Sequence, residues 1–190
     1  MAAITVWNLL RAAGLAPRLV EKEGLPDIAV PDSSGTPEWI EVKRIRRGSS
    51  PTRARKVIKK ANSQIKRADT DGVGAVFMLI ERPQQRVVFD DALPAEVKLY
   101  VDEAERELGS GYSRSVHAVA IAWDDYMLIG DFPEPTWYVH RRRTVVREHR
   151  TPRRALRLPR TALEVGRTVA LPIIWAASAG TARPLAPIRL

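Results

Sequence analysis

Asp27, Glu41 and Lys43 are the residues whose types and spacing could do chemistry. Side chains alternate across a strand, so Glu41 and Lys43 share one face of a strand while Val42 points to the other. Carboxylates are the ligands that a hard divalent cation prefers, and an ammonium next to two carboxylates is mutually stabilised with them. The residue types therefore indicate metal-assisted hydrolysis of a phosphodiester, with Asp27 and Glu41 as metal ligands beside Lys43.

A short hairpin is expected to bring these side chains together. Residues 26–30 and 39–43 read as two strands, and residues 31–37 between them (Pro-Asp-Ser-Ser-Gly-Thr-Pro) are turn formers throughout. Pairing of the two strands would place Asp27 beside Glu41.

The pattern Pro26-Asp27, thirteen intervening residues and Glu41-Val42-Lys43 resembles the motif of the PD-(D/E)XK nuclease superfamily. The resemblance covers roughly residues 4–80. It implies an α/β fold with a central mixed β-sheet flanked by helices, a restriction-endonuclease-like α-β-β-β-α-β core to which this chain adds C-terminal strands. It also implies an endonuclease that uses Mg²⁺ or Mn²⁺, with the Val42 carbonyl completing the protein ligands and Lys43 orienting or deprotonating the attacking water.

Two positions depart from the pattern that the resemblance implies. Many members carry a glutamate in the first helix, but this chain has no acid before Glu21. Glu21 and Glu23 could substitute for that ligand or could be ordinary exposed acids. Gln64 corresponds to a glutamine found in the second helix of several branches and is a candidate residue at the edge of the site, whereas Ala68 stands where some branches have a tyrosine.

Apolar periodicity and turn residues predict the elements that must position these side chains. A first helix is expected from Ile4 until Gly14, and the central helix from Ser50-Pro51 to about Asp69. Strands are expected over Leu19–Lys22 and Val73–Ile80, and a third helix over Pro94–Leu108. A hairpin is expected from Val116–Trp123 and Tyr126–Ile129, which turns at Asp124-Asp125, followed by an edge strand over Thr136–His140.

The central helix is the strongest argument for a polyanionic partner. Eleven Lys or Arg residues and no acid lie between Lys43 and Arg67. Such surfaces attract phosphate backbones through counterion release, independently of base sequence. Besides Lys43, the predicted nucleic-acid-binding residues are Arg44, Arg46, Arg47, Arg53, Arg55, Lys56, Lys59, Lys60, Lys66 and Arg67.

Composition limits the remaining classes. The 190 residues carry a net charge of +9 and no cysteine, which excludes disulfides, thiolate zinc sites and cysteine catalysis. No histidine is expected to be a metal ligand, because His117, His140 and His149 lie in different segments without metal-ligand spacing. The start of the chain lacks signal-peptide features and the apolar stretch Thr168–Ser178 is too short to span a bilayer, so a cytoplasmic protein without a membrane partner is expected.

The chain is interpreted as a nuclease-like domain over residues 1–150 and an Arg/Pro-rich tail over residues 151–190, whose first part could be ordered or disordered. The expected activity is hydrolysis of nucleic acid, with DNA preferred to RNA as the substrate. Two alternatives stay open. One is a catalytically silent relative that binds nucleic acid or a protein, and the other is an interaction module in which the Glu-x-Lys motif arose by chance. A homodimer, or a protein partner bound through the tail, also stays open.

Overall fold

The computed structural model of the chain describes residues 2–31, 35–81, 87–88, 92–129, 137–164 and 167–172. These residues form one mixed sheet with helices on both faces, which confirms the predicted α/β class. The elements in chain order are α1 (Ala2–Ala12), β1 (Arg18–Leu19), β2 (Ile28–Pro31), β3 (Pro37–Ile45), α2 (Arg53–Ala68), β4 (Gly74–Ile80), β5 (Val87–Val88), α3 (Ala95–Gly109), β6 (Val116–Ile129), β7 (Trp137–Glu148), α4 (Arg160–Leu163) and β8 (Arg167–Pro172).

The sheet combines a parallel centre with antiparallel sides. Its order is β1-β2-β3-β4-β6-β7-β8, with β5 paired to β6 off this path. The pairs β3–β4 and β4–β6 are parallel, while β1–β2, β2–β3, β6–β7 and β7–β8 are antiparallel. Parallel neighbours need a crossover, and α2 and α3 supply the two crossovers at the centre. The apolar run at residues 73–80 accordingly forms β4, a buried strand between two others, as predicted.

The two faces of β3 belong to different cores. Ile40 and Val42 pack with α1 and α4, whereas Trp39 and Ile45 pack against the core shared by α2 and α3. Alternation along the strand therefore directs residues 41 and 43 to the α2 face.

The helices form where apolar periodicity predicts them. The buried residues of α1 are Val6 and Leu10, one turn apart, and the helix is followed by Gly14 at a φ of 80°. The central helix α2 begins at Arg53, slightly later than predicted, because Ser50 and Pro51 form a preceding turn in which their carbonyls accept the N–H groups of Arg53 and Ala54.

The hairpin predicted at Asp124-Asp125 is wrong, because residues 116–129 form one continuous strand. Asp125 and Asp124 lie opposite Arg141 and Arg142 of β7 and pair with them, so charge across the ladder keeps the acids inside the strand. We call Asp124, Asp125, Arg141, Arg142 and Arg143 the β6–β7 cluster.

Two other strand predictions need correction. The short strand expected over residues 19–22 is β1, which begins one residue earlier, ends three residues earlier and pairs with β2. The edge strand expected over residues 136–140 continues to residue 148 as β7, and β8 covers its outer side, so it is not an edge. Residue 136, the turn residues 32–34 and residues 173–178 of the apolar stretch lie outside the described residues.

Residues 149–164 pack against the domain. Leu158, Ala162 and Leu163 are buried in the core that contains α1. The buried Glu38 carboxylate of β3 accepts the backbone N–H groups of Arg157 and Leu158, at 2.5 and 2.8 Å. The first part of the predicted tail is therefore attached to β3 at a point three residues before Glu41.

Candidate active site

The hairpin of β2 and β3 brings Asp27 next to Glu41. Ile28 lies opposite Ile40 in the antiparallel register, so the residue before Ile28 reaches the level of the residue after Ile40. The Val42 N–H donates a hydrogen bond to Asp27 Oδ2 at 2.7 Å, which ties this carboxylate to β3 beyond the end of the ladder.

Lys43 contacts both carboxylates. Its Nζ lies 2.5 Å from Glu41 Oε1 and 3.9 Å from Asp27 Oδ2. We call these three residues the β3 cluster. The Val42 side chain is buried on the opposite face, as strand alternation predicts. The structure therefore brings together Asp27, Glu41 and Lys43, with the backbone of Val42 between the last two.

Glu41 is the most constrained member of the cluster. Its side chain is fully buried, and among the described residues the Lys43 ammonium, 2.5 Å from Oε1, is the one cation that contacts its carboxylate. Burial raises the pKa of Glu41 above its ordinary value of 4.5, the Lys43 ammonium opposes that rise, and the neighbouring Asp27 charge adds to it. Asp27 and Lys43 are each about one-third exposed, so the cluster is open on one side.

The donor set fits a hard divalent cation. Two neighbouring carboxylates that share one ammonium keep a net negative charge, which is costly where one of them is buried, and a metal ion would bind to the oxygens of Glu41 and Asp27. Among the described residues no three His, Cys, Asp or Glu side chains gather where they could hold a metal ion. Glu21 and Glu23 are exposed, so they do not complete such a group. A cation there would take its other ligands from backbone and water, as Mg²⁺ commonly does.

Gln64 lies beside the cluster and fixes the loop that leads into it. The residue is 8% exposed, and its Nε2 donates to the Leu25 carbonyl at 2.9 Å, two residues before Asp27. Its Oε1 is buried without a hydrogen-bond partner in the described structure. Arg67, one turn later, donates to the Gly24 carbonyl at 3.3 Å. The Gly24-Leu25 loop was not predicted as part of the site. The only signal near it in the sequence was the pair of acids Glu21 and Glu23 that precede it.

These two contacts divide α2 into two sides. At about 100° per residue, Arg53, Lys56, Lys60 and Arg67 all lie within about 80° of Gln64. We call these four residues the site side of α2, because Gln64 and Arg67 bind the loop before Asp27. All four side chains are exposed.

The remaining bases of α2 lie on the opposite side, next to α3. Arg55 Nε is 2.7 Å from Glu103, and Lys59 Nζ is 3.7 Å from Glu107. Lys66 projects from the same side at about 160° from Gln64. The sequence prediction treated all bases of the helix alike, but two on this side are partly neutralised by acids that are remote in the sequence.

The bases at the end of β3 also differ from one another. Arg44 lies on the α1 face and pairs with Glu81. Arg44 and Arg47 line a cavity of about 750 Å³ at the ends of β3 and β4 and beside the middle of β6, where Arg142 pairs with Asp124. None of the β3 cluster lines this cavity. Two of the ten predicted binding residues, Arg44 and Arg47, therefore lie at a cavity away from the carboxylates. Arg46, between them, is exposed.

Comparison with known proteins supplies no further assignment. No protein-family model matches the chain, and no curated protein is similar to it. Within the described residues, no helix has the length and apolar character needed to cross a bilayer.

Proposed function

We propose that this protein is a metal-dependent nuclease with a restriction-endonuclease-like core. The observation that carries the proposal is the buried Glu41 carboxylate, which lies with Asp27 at one point of the sheet, where the two acids share the single ammonium of Lys43. The element order α1-β1-β2-β3-α2-β4 supports it, because this is the order expected for that core.

Each residue of the cluster has a defined task in this proposal. Asp27 and Glu41 hold Mg²⁺ or Mn²⁺, with the Val42 carbonyl as a third protein ligand. A bound divalent cation supplies charge neutralisation to the phosphate and activation to the attacking water. Lys43 places a positive charge against the phosphate and orients the water, while the Val42 N–H keeps the Asp27 carboxylate in place. Gln64 positions the loop before Asp27.

The residues around the cluster favour a phosphodiester as the bond that is hydrolysed. The exposed bases on the site side of α2 are suited to a polyanion, and DNA is proposed as the substrate in preference to RNA. The competing proposal is a silent member that binds nucleic acid without cutting it. The specific observation in its favour is that no third acidic side chain joins the pair within the described residues.

A cleavage panel separates these two functions. Duplex DNA, single-stranded DNA, a four-way junction and tRNA are incubated with wild type, Lys43→Ala and Lys98→Ala in Mg²⁺, Mn²⁺ or EDTA. Lys98 is the matched control, because it is an exposed lysine on α3 paired with Asp102. Cutting that needs metal and is lost only in Lys43→Ala supports the nuclease. Equal binding without cutting in all three proteins overturns it in favour of the silent member.

Metal binding can be measured without activity. Because a ligand that binds only the folded state stabilises it, metal at 100 times its dissociation constant should add about 2.7 kcal/mol to the free energy of unfolding. The rise in melting temperature with Mn²⁺ is expected in wild type and not in Asp27→Asn. An equal rise in both proteins would place the metal elsewhere.

A further inference from the structure

The site side of α2 lies level with the β3 cluster. Ile65 is level with Trp39, because Gly74 pairs with Trp39 and a Cβ added at Gly74 would lie 3.1 Å from Ile65 Cδ1. Glu41 and Lys43 are about 7 and 13 Å further along β3 at 3.3 Å per residue.

The helix α2 must run back against its two parallel strands, at 1.5 Å per residue. The levels of Glu41 and Lys43, about 7 and 13 Å beyond Trp39, therefore correspond to helix positions about four and nine residues before Ile65. Lys60 and Lys56 occupy these levels on the site side, so they flank the carboxylates, while Arg53 and Arg67 lie beyond them at the two ends.

We propose that the site side of α2 is the track for the phosphate backbone of the strand that is cut. This inference rests on the proposed nuclease function and adds to it the path of the substrate. Lys56 and Lys60 bind the phosphates next to the one that is cleaved, and Arg53 and Arg67 bind phosphates further along on either side. The chemistry recognised is a polyphosphodiester strand, whether of DNA or of RNA.

The α3 side does not offer an equivalent track. Glu103 and Glu107 lie along it, so an approaching phosphate would meet negative charge close to Arg55 and Lys59. Glu107 is 4% exposed and also accepts a hydrogen bond from the Ser113 hydroxyl at 2.7 Å, so it is a fixed part of the fold.

The dimensions agree with one strand. From Arg53 to Arg67 the axial distance is about 21 Å at 1.5 Å per residue. A row of four cations over that length matches a stretch of a few nucleotides, which is the scale on which a basic groove follows a single strand. The Arg67 guanidinium also binds the Gly24 carbonyl, so this end of the track is fixed to the loop before Asp27.

Two matched double variants test the track. Lys56→Gln/Lys60→Gln removes two charges from the site side, and Lys59→Gln/Lys66→Gln removes two charges from the α3 side of the same helix. The probes are a labelled single-stranded 20-mer DNA and an RNA of the same sequence, bound in EDTA so that nothing is cut. Dissociation constants are measured between 50 and 300 mM salt, and thermal unfolding checks that both variants are folded.

The track predicts a difference in salt dependence. Each lost phosphate contact on a single strand should reduce the slope of log K against log salt by about 0.7, so the site-side variant should lose about 1.4 and the α3-side variant much less. Equal losses in the two variants would overturn the track.

The outcome for the track is separate from that for the nuclease. If wild type never cuts but the slope falls in the site-side variant alone, the site side of α2 stands as a phosphate-binding surface and the nuclease fails. If wild type cuts and the two variants bind alike, the nuclease stands and the track fails.

Discussion

Two clusters of ionised side chains lie in the same sheet and differ in how their carboxylates are satisfied. The β3 cluster has two carboxylates and one ammonium. The β6–β7 cluster has two carboxylates and three guanidiniums. Formal charge is therefore −1 in the first cluster and +1 in the second, although each contains one deeply buried acid.

Hydrogen bonding separates the clusters more sharply than charge does. In the β6–β7 cluster Asp125 accepts from Arg141 Nε at 2.6 Å and from Arg143 at 3.2 Å, while Arg142 binds Asp124 through two contacts of 2.9 and 3.0 Å. In the β3 cluster the Lys43 ammonium is the one cation that contacts Glu41 and Asp27 among the described residues, at 2.5 and 3.9 Å.

This difference teaches which buried acids indicate a function. A buried carboxylate held by guanidinium groups is already compensated, so it fixes the register of two strands. A buried carboxylate that shares a single ammonium with a second acid keeps an unfavourable energy that a bound cation would relieve, which is typical of sites where stability is exchanged for activity. Replacing the acid should therefore have opposite effects in the two clusters.

The largest expected effect is on activity at Glu41. Because a metal contributes several kcal/mol to the transition state, and each 1.4 kcal/mol is tenfold in rate, Glu41→Gln should lower the cleavage rate about a thousandfold. In EDTA at pH 7 the same variant should have a higher free energy of unfolding than wild type, because burial disfavours the charged form of Glu41, and because Lys43, which loses this partner, is partly exposed and still has Asp27 beside it.

Glu21→Gln is the control for that experiment, since Glu21 is an exposed acid that precedes the hairpin in the sequence. It should keep its cleavage rate. A loss in Glu21→Gln equal to that in Glu41→Gln would make Glu21 a metal ligand. A Glu41→Gln protein that unfolds more easily than wild type would contradict the contrast between the clusters.

The next effect is on stability at Asp125. Removing one partner from a buried ion pair leaves the others uncompensated, so Asp125→Asn should lower the free energy of unfolding by about 3 to 5 kcal/mol. Asp124→Asn is the adjacent control, and its more exposed pair with Arg142 should cost less than about 1 kcal/mol. Urea denaturation measures both variants, and similar small losses would mean that the β6–β7 cluster does not stabilise the fold.

The sequence was sufficient where the signal is local. Strand alternation placed Glu41 and Lys43 on one face and Val42 on the other, and helical periodicity found the buried residues of α2. Pro26 and the turn residues after β2 fixed which acid would meet Glu41. These patterns depend on a few neighbouring residues, so they can be recognised in the sequence before the rest of the fold is known.

The sequence was insufficient where the partner is remote. Asp124-Asp125 resembles a turn until Arg141 and Arg142 are placed opposite on β7. The charges of α2 likewise look uniform until α3 is placed beside them. A usable signal existed in each case: adjacent acids match adjacent bases across β6 and β7, and the four-residue spacing of Arg55 and Lys59 matches that of Glu103 and Glu107. Choosing these pairings among many others required the topology.

A third buried group tests whether an unsatisfied polar atom alone is enough to indicate a site. His149 is 4% exposed, and its Nδ1 accepts the Thr151 N–H at 3.0 Å, which leaves the ring proton on a buried Nε2 without a hydrogen-bond partner in the described structure. Burial, Arg114 and His117 lower the pKa of His149 below 6.5, while Glu107 opposes them. Arg114 places positive charge beside this ring, whereas the β3 cluster carries a net negative charge, so the surroundings of His149 are unfavourable for a cation.

The expected effect of His149 is therefore small and concerns stability alone. Since its folded pKa lies below its unfolded value, the unfolded chain takes up the proton first, and wild type should lose stability as pH falls below about 6.5, by at most about 1.4 kcal/mol per pH unit. His149→Asn keeps an acceptor for the Thr151 N–H but cannot titrate, so its denaturation profile should be flatter between pH 7 and pH 5, with its cleavage rate unchanged. Parallel profiles would assign the acid sensitivity to other groups, and a loss of cleavage would mean that an unpartnered nitrogen without nearby carboxylates also belongs to the active site.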